Sequence, residues 1–350
     1  MGEIIYEDPS RGLTMRVDEG YNDAFVELLG RTVWGTEGLR YRNPDVRQEL
    51  QRIPRFHMIR LLRGEALVGA YGLAEKVVSA GRVQVPALHR TYLAVDQRYQ
   101  GRGYGKLLVT EVKRHFLDEA DDPVMLYGYI EAENSRSLGP SRKAGYRPIG
   151  AFESVLFSRF RPRPHPAIER PGDEGEVRAL LGEEYAGFAL CDLDQSLIRS
   201  EYYVLRRGCT IVAGLQAHRV RYEVVSLAGW YGRLVLRAMP RTPYLRRLLP
   251  GGVLDYVSVS NIYCPAGYEG DFLALLEGVL AGNDLHVAIA LLDRTSPVLA
   301  RLRATGKLGV LSRLGVNSLA YVMAGFHQVA EEVVDAFVER PLLISPLDPI

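Results

Sequence analysis

Cysteine is scarce in this 350-residue chain: Cys191, Cys209 and Cys264 are widely spaced, odd in number and free of any Cys-x-x-Cys pair. That argues against a disulfide framework and a structural zinc site, so no metal is expected and a reducing, cytoplasmic setting fits best. An excess of one charge is also missing. Forty-three lysines and arginines face forty-two aspartates and glutamates, so no global field draws the protein to nucleic acid or to a membrane surface. Long hydrophobic runs are absent too: none approaches the ~18 residues of a membrane span. The opening Met1-Gly2-Glu3-Ile4 reads as too short and too acidic for a signal peptide. The expectation is a soluble protein of about two domains, with length enough to bury real cores.

Glycine, by contrast, is concentrated where it counts. The run Gln100-Gly101-Arg102-Gly103-Tyr104-Gly105-Lys106 lies between a strand-like and a helix-like stretch. Glycines let backbone amides approach an anion, and the first amides of the following helix have no intrahelical acceptor, so the run is a phosphate cradle. It is not a Walker A loop, because three residues rather than four separate Gly101 from Gly105 and Leu107 follows Lys106. Lysine at 106, where a third glycine belongs, weakens the dinucleotide reading as well.

Around this turn the first half alternates between strands and helices. Thr14 to Val17 reads as a strand, and Tyr21 to Val33 and Pro44 to Ile53 read as helices, the second capped by Asn43. Phe56 to Leu62 and Ala66 to Leu73 flank a hairpin turn, and a long strand from Val83 to Val95 leads into the cradle. Leu108, Val112 and Phe116 mark the buried face of a helix from Tyr104 to Asp118. A strand over Val124 to Glu131, a helix over Ser135 to Ala144 and one or more strands from Tyr146 to Phe160 complete an α/β order with an α+β mixed sheet.

The second half repeats the first. Leu62 to Gly69 is echoed by Arg206 to Ala213 at an offset of 144 residues, and the strand and turn around Val95 and Gly101 by Val257 to Ile262 and Gly267 at about 166. An insertion at 230–252 accounts for the difference. It carries Arg233, Arg237, Arg241, Arg246 and Arg247 among leucines and tyrosines. The expected division is therefore 1–160, a proline-rich linker at 161–166, a copy at 167–326, and a C-terminal helix and tail at 327–350. In the copy Glu269 and Asp271 stand where a pyrophosphate would sit, and like charges repel, so this half is expected to bind no phosphate ligand.

The cradle, read as Gln/Arg-x-x-Gly-x-Gly at Gln100, Gly103 and Gly105, resembles that of the GNAT superfamily of acetyl-CoA-dependent N-acyltransferases. The likeness extends through Leu93-Ala94-Val95-Asp96, Lys106-Leu107-Leu108, Glu133 to Ser137, and Lys143-Ala144-Gly145-Tyr146. It implies two tandem GNAT folds, a catalytic first one and a degenerate second, with acetyl-CoA as cosubstrate. Leu93, Ala94, Val95, Gln100, Gly101, Gly103, Tyr104, Gly105, Lys106 and Asn134 would then hold the CoA, while Arg98 and Arg102 would pair with its phosphates.

The same resemblance directs the search for acid and base. Eleven residues before Gln100, where many members carry glutamate, stands His89, a base suited to neutral pH; Glu75 and His57 are the alternatives. The tyrosine that commonly protonates the leaving thiolate is missing, since Pro140 and Ser141 stand there. Ser141 or, from the neighbouring strand, Tyr127 or Tyr129 would replace it. The acceptor is expected to be a primary amine of a small molecule or peptide, attacked directly in a ternary complex. A non-catalytic CoA-binding sensor or scaffold is the alternative that the missing tyrosine leaves open.

Overall fold

The computed structural model describes residues 2–35, 39–227, 242, 247, 250–313 and 318–345. In the first half, β1 (Glu3–Asp8), β2 (Leu13–Glu19), α1 (Asp23–Arg31), β3 (Leu39–Arg42) and α2 (Val46–Gln51) precede β4 (Phe56–Arg63), β5 (Ala66–Ala80) and β6 (Val83–Val95). Then come α3 (Tyr104–Lys113), β7 (Val124–Glu131), α4 (Ser135–Lys143) and β8 (Arg147–Ser158). The second half contributes β9 (Ile168–Glu169), β10 (Ala189–Cys191), β11 (Tyr202–Arg207), β12 (Thr210–Leu227), β13 (Val253–Tyr263), β14 (Val287–Asp293) and β15 (Leu319–His327). A helix over Glu269–Gly282 follows β13, and one over Glu331–Glu339 follows β15.

Local chemistry accounts for the elements that flank the cradle. In α1 the Asn22 side chain accepts from the Phe25 amide at 2.9 Å, Asp23 opens and Arg31 closes the helix, and Phe25, Leu28 and Leu29 form its buried stripe. The second helix begins later than Asn43 and Pro44 suggest. Asn43 instead accepts from the Asp45 amide at 3.0 Å and donates to Glu49 at 2.6 Å, and Asp45 takes the cap position. The helix after the cradle is α-helical only to Lys113 and widens into a π-turn over Arg114–Asp118.

Among the described residues, fifteen strands share one sheet, and its order separates the two halves less cleanly than the chain does. The path runs β1-β2-β4-β5-β6-β7-β15-β8-β14-β13-β12-β11-β9. The last strand of each half has crossed over: β15 pairs with β7, and β8 pairs with β14 and with β15. Residues 1–160 and 167–326 therefore do not form separate sheets. Val322, Met323 and Ala324, at the centre of β15, are fully buried in the first half's sheet. Arg161 to Pro166 carries neither helix nor strand.

Register confirms the repeat. Ala70 pairs with Ala94 and Gly72 with Thr91, a slip that places a bulge at Tyr92; Gly214 pairs with Tyr263 and Gln216 with Ser260, which places the same bulge at Asn261. Both bulge residues have positive φ, 52° and 44°. The offset is 144 residues on the first strand of each pair and 169 on the second, against the 166 read from sequence. Of the arginine-rich insertion, 228–241, 243–246 and 248–249 lie outside the described residues, and with them Arg233, Arg237, Arg241 and Arg246; Arg247 donates to the Phe160 carbonyl at 3.2 Å. Leu342, Leu343 and Ile344 are buried, with Leu342 bridged to Ala189; residues 346–350 lie outside the description.

Because β15 fills the slot between β7 and β8, a fragment of residues 1–160 would expose two long unpaired strand edges. We expect it to show no cooperative thermal transition on its own and to regain one on co-expression with 161–350. Cooperative unfolding of the lone fragment would contradict the exchange.

Candidate active site

Strands β6 and β7 run parallel and pair from Ala87 with Met125 to Arg90 with Gly128, where the pairing stops. Beyond that point β6 bulges at Tyr92, β7 continues beside β15, and the wedge between them opens into a cavity of about 650 Å³. One end of the cavity is the glycine cradle. Gly101 and Gly103 have φ of +79° and +80°, and a Cβ at either would meet no atom within 4 Å. Conformation demands glycine there, and the space above it is open to a ligand. Gly103 is the N-cap of α3, so the unpaired amides of the first turn face the same space.

Asp96 pins the turn. It is buried, accepts from the Arg98 amide and Nε at 3.0 Å each, and pairs with Arg31. The hydrogen bonds from Arg98 hold its carboxyl below the usual range, so it stays ionised. Arg98 is thereby occupied away from the cavity, and Arg102 lies 5.4 Å from the Tyr99 ring, also off the lining. The side-chain cations on this wall are Lys106 and Arg136 from α4. The cavity also meets Leu93, Val95, Gln100, Tyr104, Gly105 and Asn134, whereas Ala94 points into the core at 2% exposure. Asn134 caps α4 by accepting from the Ser137 amide at 3.1 Å.

The residues expected to do chemistry fall differently. His89 is fully buried, its ring 4.9 Å from those of both Tyr127 and Tyr129, and it is not on the cavity wall. Counting back along the strand misses the bulge, which changes the face presented on either side of it. Tyr127 is likewise a core residue, whereas Tyr129 and Ser141 reach the cavity. Glu75 stands apart, facing His57 at 2.5 Å and Arg55 at 3.3 Å. Burial raises its pKa, but the hydrogen bonds and charges of His57 and Arg55 outweigh this and lower it, so it is a stable ion-pair partner away from the cleft.

What the structure places there instead carried no motif. The end of the cavity opposite the cradle is aromatic: Trp34, Tyr41, Tyr92 and Tyr129, with Glu131. Tyr92 donates to the Glu49 carboxylate at 2.8 Å. Burial raises the pKa of Glu49 above the ordinary carboxyl value, and the hydrogen bonds from Tyr92 and Asn43 offset this only in part. Burial, and then the charge of Glu49, raises Tyr92 far above an ordinary phenol, so it is a neutral donor. The second half braces this end: β3 pairs with β12, Tyr41 stacks on Tyr222 at 4.3 Å, and Arg221 grips Asp45 at 2.8 and 2.9 Å.

The corresponding wedge in the second half is filled. Val259, Ile262, Phe272 and Leu276 leave about 20 Å³ between them. The turn there is occupied by its own carboxylate, since Glu269 accepts from the Gly267 amide at 3.2 Å and pairs with Arg301 at 3.0 Å. Asp271 is held by Arg207 at 2.9 and 3.0 Å. Asn261, at the bulge, donates to the Ser196 carbonyl at 3.2 Å and to Gln216 at 3.3 Å. Among the described residues no cluster of His, Cys, Asp or Glu is placed to hold a metal, and no helix is long and apolar enough to cross a membrane.

A cradle at the mouth of a splayed parallel pair, with bare strand amides leading inward, defines a transferase that draws its acyl group from an acyl-CoA. Residues 19–146 match the model of the acetyltransferase (GNAT) family. Nearly the whole chain shares its fold with Saccharomyces cerevisiae N-myristoyltransferase in crystal structures with bound myristoyl-CoA. One is 10% identical, covers 94% of this chain and 89% of that, and has a TM-score of 0.59; a second covers 94% and 85% with 0.58. A GCN5-related N-acetyltransferase from Kribbella flavida is 14% identical over 90% of this chain and 71% of that, with a TM-score of 0.47. No curated protein sequence matches. Residues 19–146 are thus a GNAT acetyltransferase-family domain, set in a chain that shares the overall fold of these acyltransferases.

Gly103→Glu puts a side chain and a negative charge into the cradle, whereas Gly267→Glu alters a turn already filled by a carboxylate. Calorimetry should give one CoA per chain, a loss of about 100-fold or more in affinity for the first variant, and unchanged affinity for the second. Two CoA per chain would contradict the assignment.

Proposed function

We propose that the protein transfers an acyl group from acyl-CoA to the primary amine of a small molecule or peptide, by direct attack within a ternary complex. The observation that carries this reading is a single cavity that runs from an anion cradle, past unpaired strand amides, to an aromatic end with a carboxylate behind it. The phosphates of CoA lie against the cradle, Lys106 and Arg136, and the pantetheine follows β6 inward. The edge of β6 facing β7 has no strand partner beyond Arg90, so amides around Leu93 and Val95 are free to hold the thioester carbonyl and the oxyanion that develops on it.

An alkyl amine of pKa near ~10.4 arrives as ammonium at neutral pH. Tyr92 touches the acceptor end of the cavity and is hydrogen-bonded to Glu49, whose carboxylate takes a proton more readily than an exposed one. The proton leaves the amine for the Tyr92 oxygen as the phenol proton passes to Glu49. Nitrogen then bonds to the carbonyl carbon, the carbon–sulfur bond breaks, and the thiolate departs with the electron pair. Ser141, on the wall where a tyrosine is usual, can donate a hydrogen bond to that sulfur. A thiol of pKa near ~8.5 leaves as thiolate without full protonation.

Free thiol should appear only when acyl-CoA and an amine are both present; tight CoA binding without turnover across an amine panel would favour the sensor reading instead.

The base must be ionised to work, so kcat/KM should rise with pH through the pKa of Glu49, which lies above the ordinary carboxyl value. Glu49→Gln should lower kcat/KM by about 10²-fold and remove that acidic limb, with CoA affinity retained. A variant that keeps both the rate and the limb would exclude Glu49 as the proton's destination.

A further inference from the structure

The inner end of the cavity holds a cation that the transfer just described does not use. Arg90 lines the cleft where β6 and β7 come together and is 7% exposed. Its guanidinium lies 3.8 Å over the Tyr146 ring, Nη2 donates to the Met323 carbonyl at 3.3 Å, and Tyr71 is a further hydrogen-bond partner. None of these contacts is a carboxylate, and among the described residues Nε has no hydrogen-bond partner. A buried guanidinium normally faces an anion, because a charge taken out of water without one is costly. Gly128 makes room for this side chain to cross β7: a Cβ there would lie 3.3 Å from Nε and 2.9 Å from the Arg90 carbonyl oxygen.

Position decides which anion. The CoA phosphates belong at the cradle, and the thioester belongs beside Leu93. Arg90 is three residues further in, across the bulge at Tyr92, and so less than about 10 Å along the strand at ~3.3 Å per residue. The space between them is where the acyl chain beyond its carbonyl must go. An acetyl methyl ends short of Arg90 and leaves Nε without an acceptor, whereas a chain ending in a carboxylate supplies one.

We propose that the acyl group carried by this enzyme is a short carboxyacyl group of the succinyl class, and that Arg90 selects it by binding its terminal carboxylate. The proposal rests on the reading of the cleft as the acyl-CoA site and deepens it. The full-length protein is titrated calorimetrically with succinyl-CoA, butyryl-CoA, whose acyl chain is equal in length but uncharged, and free CoA. Succinyl-CoA should bind at least about tenfold more tightly than butyryl-CoA, as a charged hydrogen bond requires. Arg90→Gln should bring succinyl-CoA down to the butyryl-CoA value. Equal affinities in the unaltered protein overturn the proposal, and that comparison decides alone if the variant does not fold. A loss in Arg90→Gln that falls equally on both thioesters also overturns it, and assigns Arg90 to packing or to the thiolate. Failure of free CoA to bind would remove the cleft assignment itself, and the inference with it.

Discussion

The structure depends on a single discontinuity in the sheet: the parallel pairing of β6 and β7 ends at Arg90 and Gly128, and β6 bulges two residues later. Regular pairing to the end of both strands would close the wedge, satisfy the amides of Leu93 and Val95, and leave no cavity. The bulge holds Tyr92 in a left-handed conformation that costs an ordinary residue about 1–2 kcal/mol. The surroundings over-determine it: Tyr92 is buried, packs edge-on against Trp34 at 5.9 Å and donates to Glu49. The second half keeps the bulge but fills it with asparagine, a residue that tolerates this conformation with less strain. Strain is thus retained in the half with an open cavity and relieved in the half without one.

The two halves also show two ways of satisfying one helix N-terminus. In the first, open space above Gly101 and Gly103 leaves the amides of α3 for an incoming anion. In the second, Glu269 bends back onto the Gly267 amide and Arg301 neutralises it, so the same geometry is complete without a ligand. A site lost in this way still shapes the protein. The wedge packed with Phe272 and Leu276 is a core, and β12, which packs into it, carries the Tyr222 and Arg221 that brace the aromatic end of the open cavity. The exchange of β8 and β15 makes this bracing part of the sheet itself and not a contact between separable domains.

How much of this was legible in the chain follows from the range of each interaction. The cradle, its flanking strand and helix, and the internal repeat are local in sequence, and the residue order shows them. The strand exchange is not local: β15 reads as an ordinary apolar strand whose partner lies nearly two hundred residues away. Asn43 looked like a helix cap because its type is right, but its side chain is used on Asp45 and Glu49. The insertion was visible as an offset between two echoes, although the bulge positions correct its size by three residues.

The site divides along the same line. Backbone-determined parts of the cradle were readable because glycine there answers to φ, a property of the residue itself. Side-chain roles depend on which face a strand presents, and one extra residue at Tyr92 changes that face. Counting therefore led to His89, which lies among Tyr127 and Tyr129 in the core, and passed over Arg90 and Tyr92, which reach the cavity. Arg98 and Arg102 illustrate the complementary error: a cation beside a phosphate site is available only if no carboxylate has already taken it, and Asp96 has taken Arg98. By that test Lys106 and Arg136 at the mouth and Arg90 at the floor are the cations that matter. They line one cavity, Lys106 and Arg136 beside the cradle and Arg90 where the pairing of β6 and β7 ends.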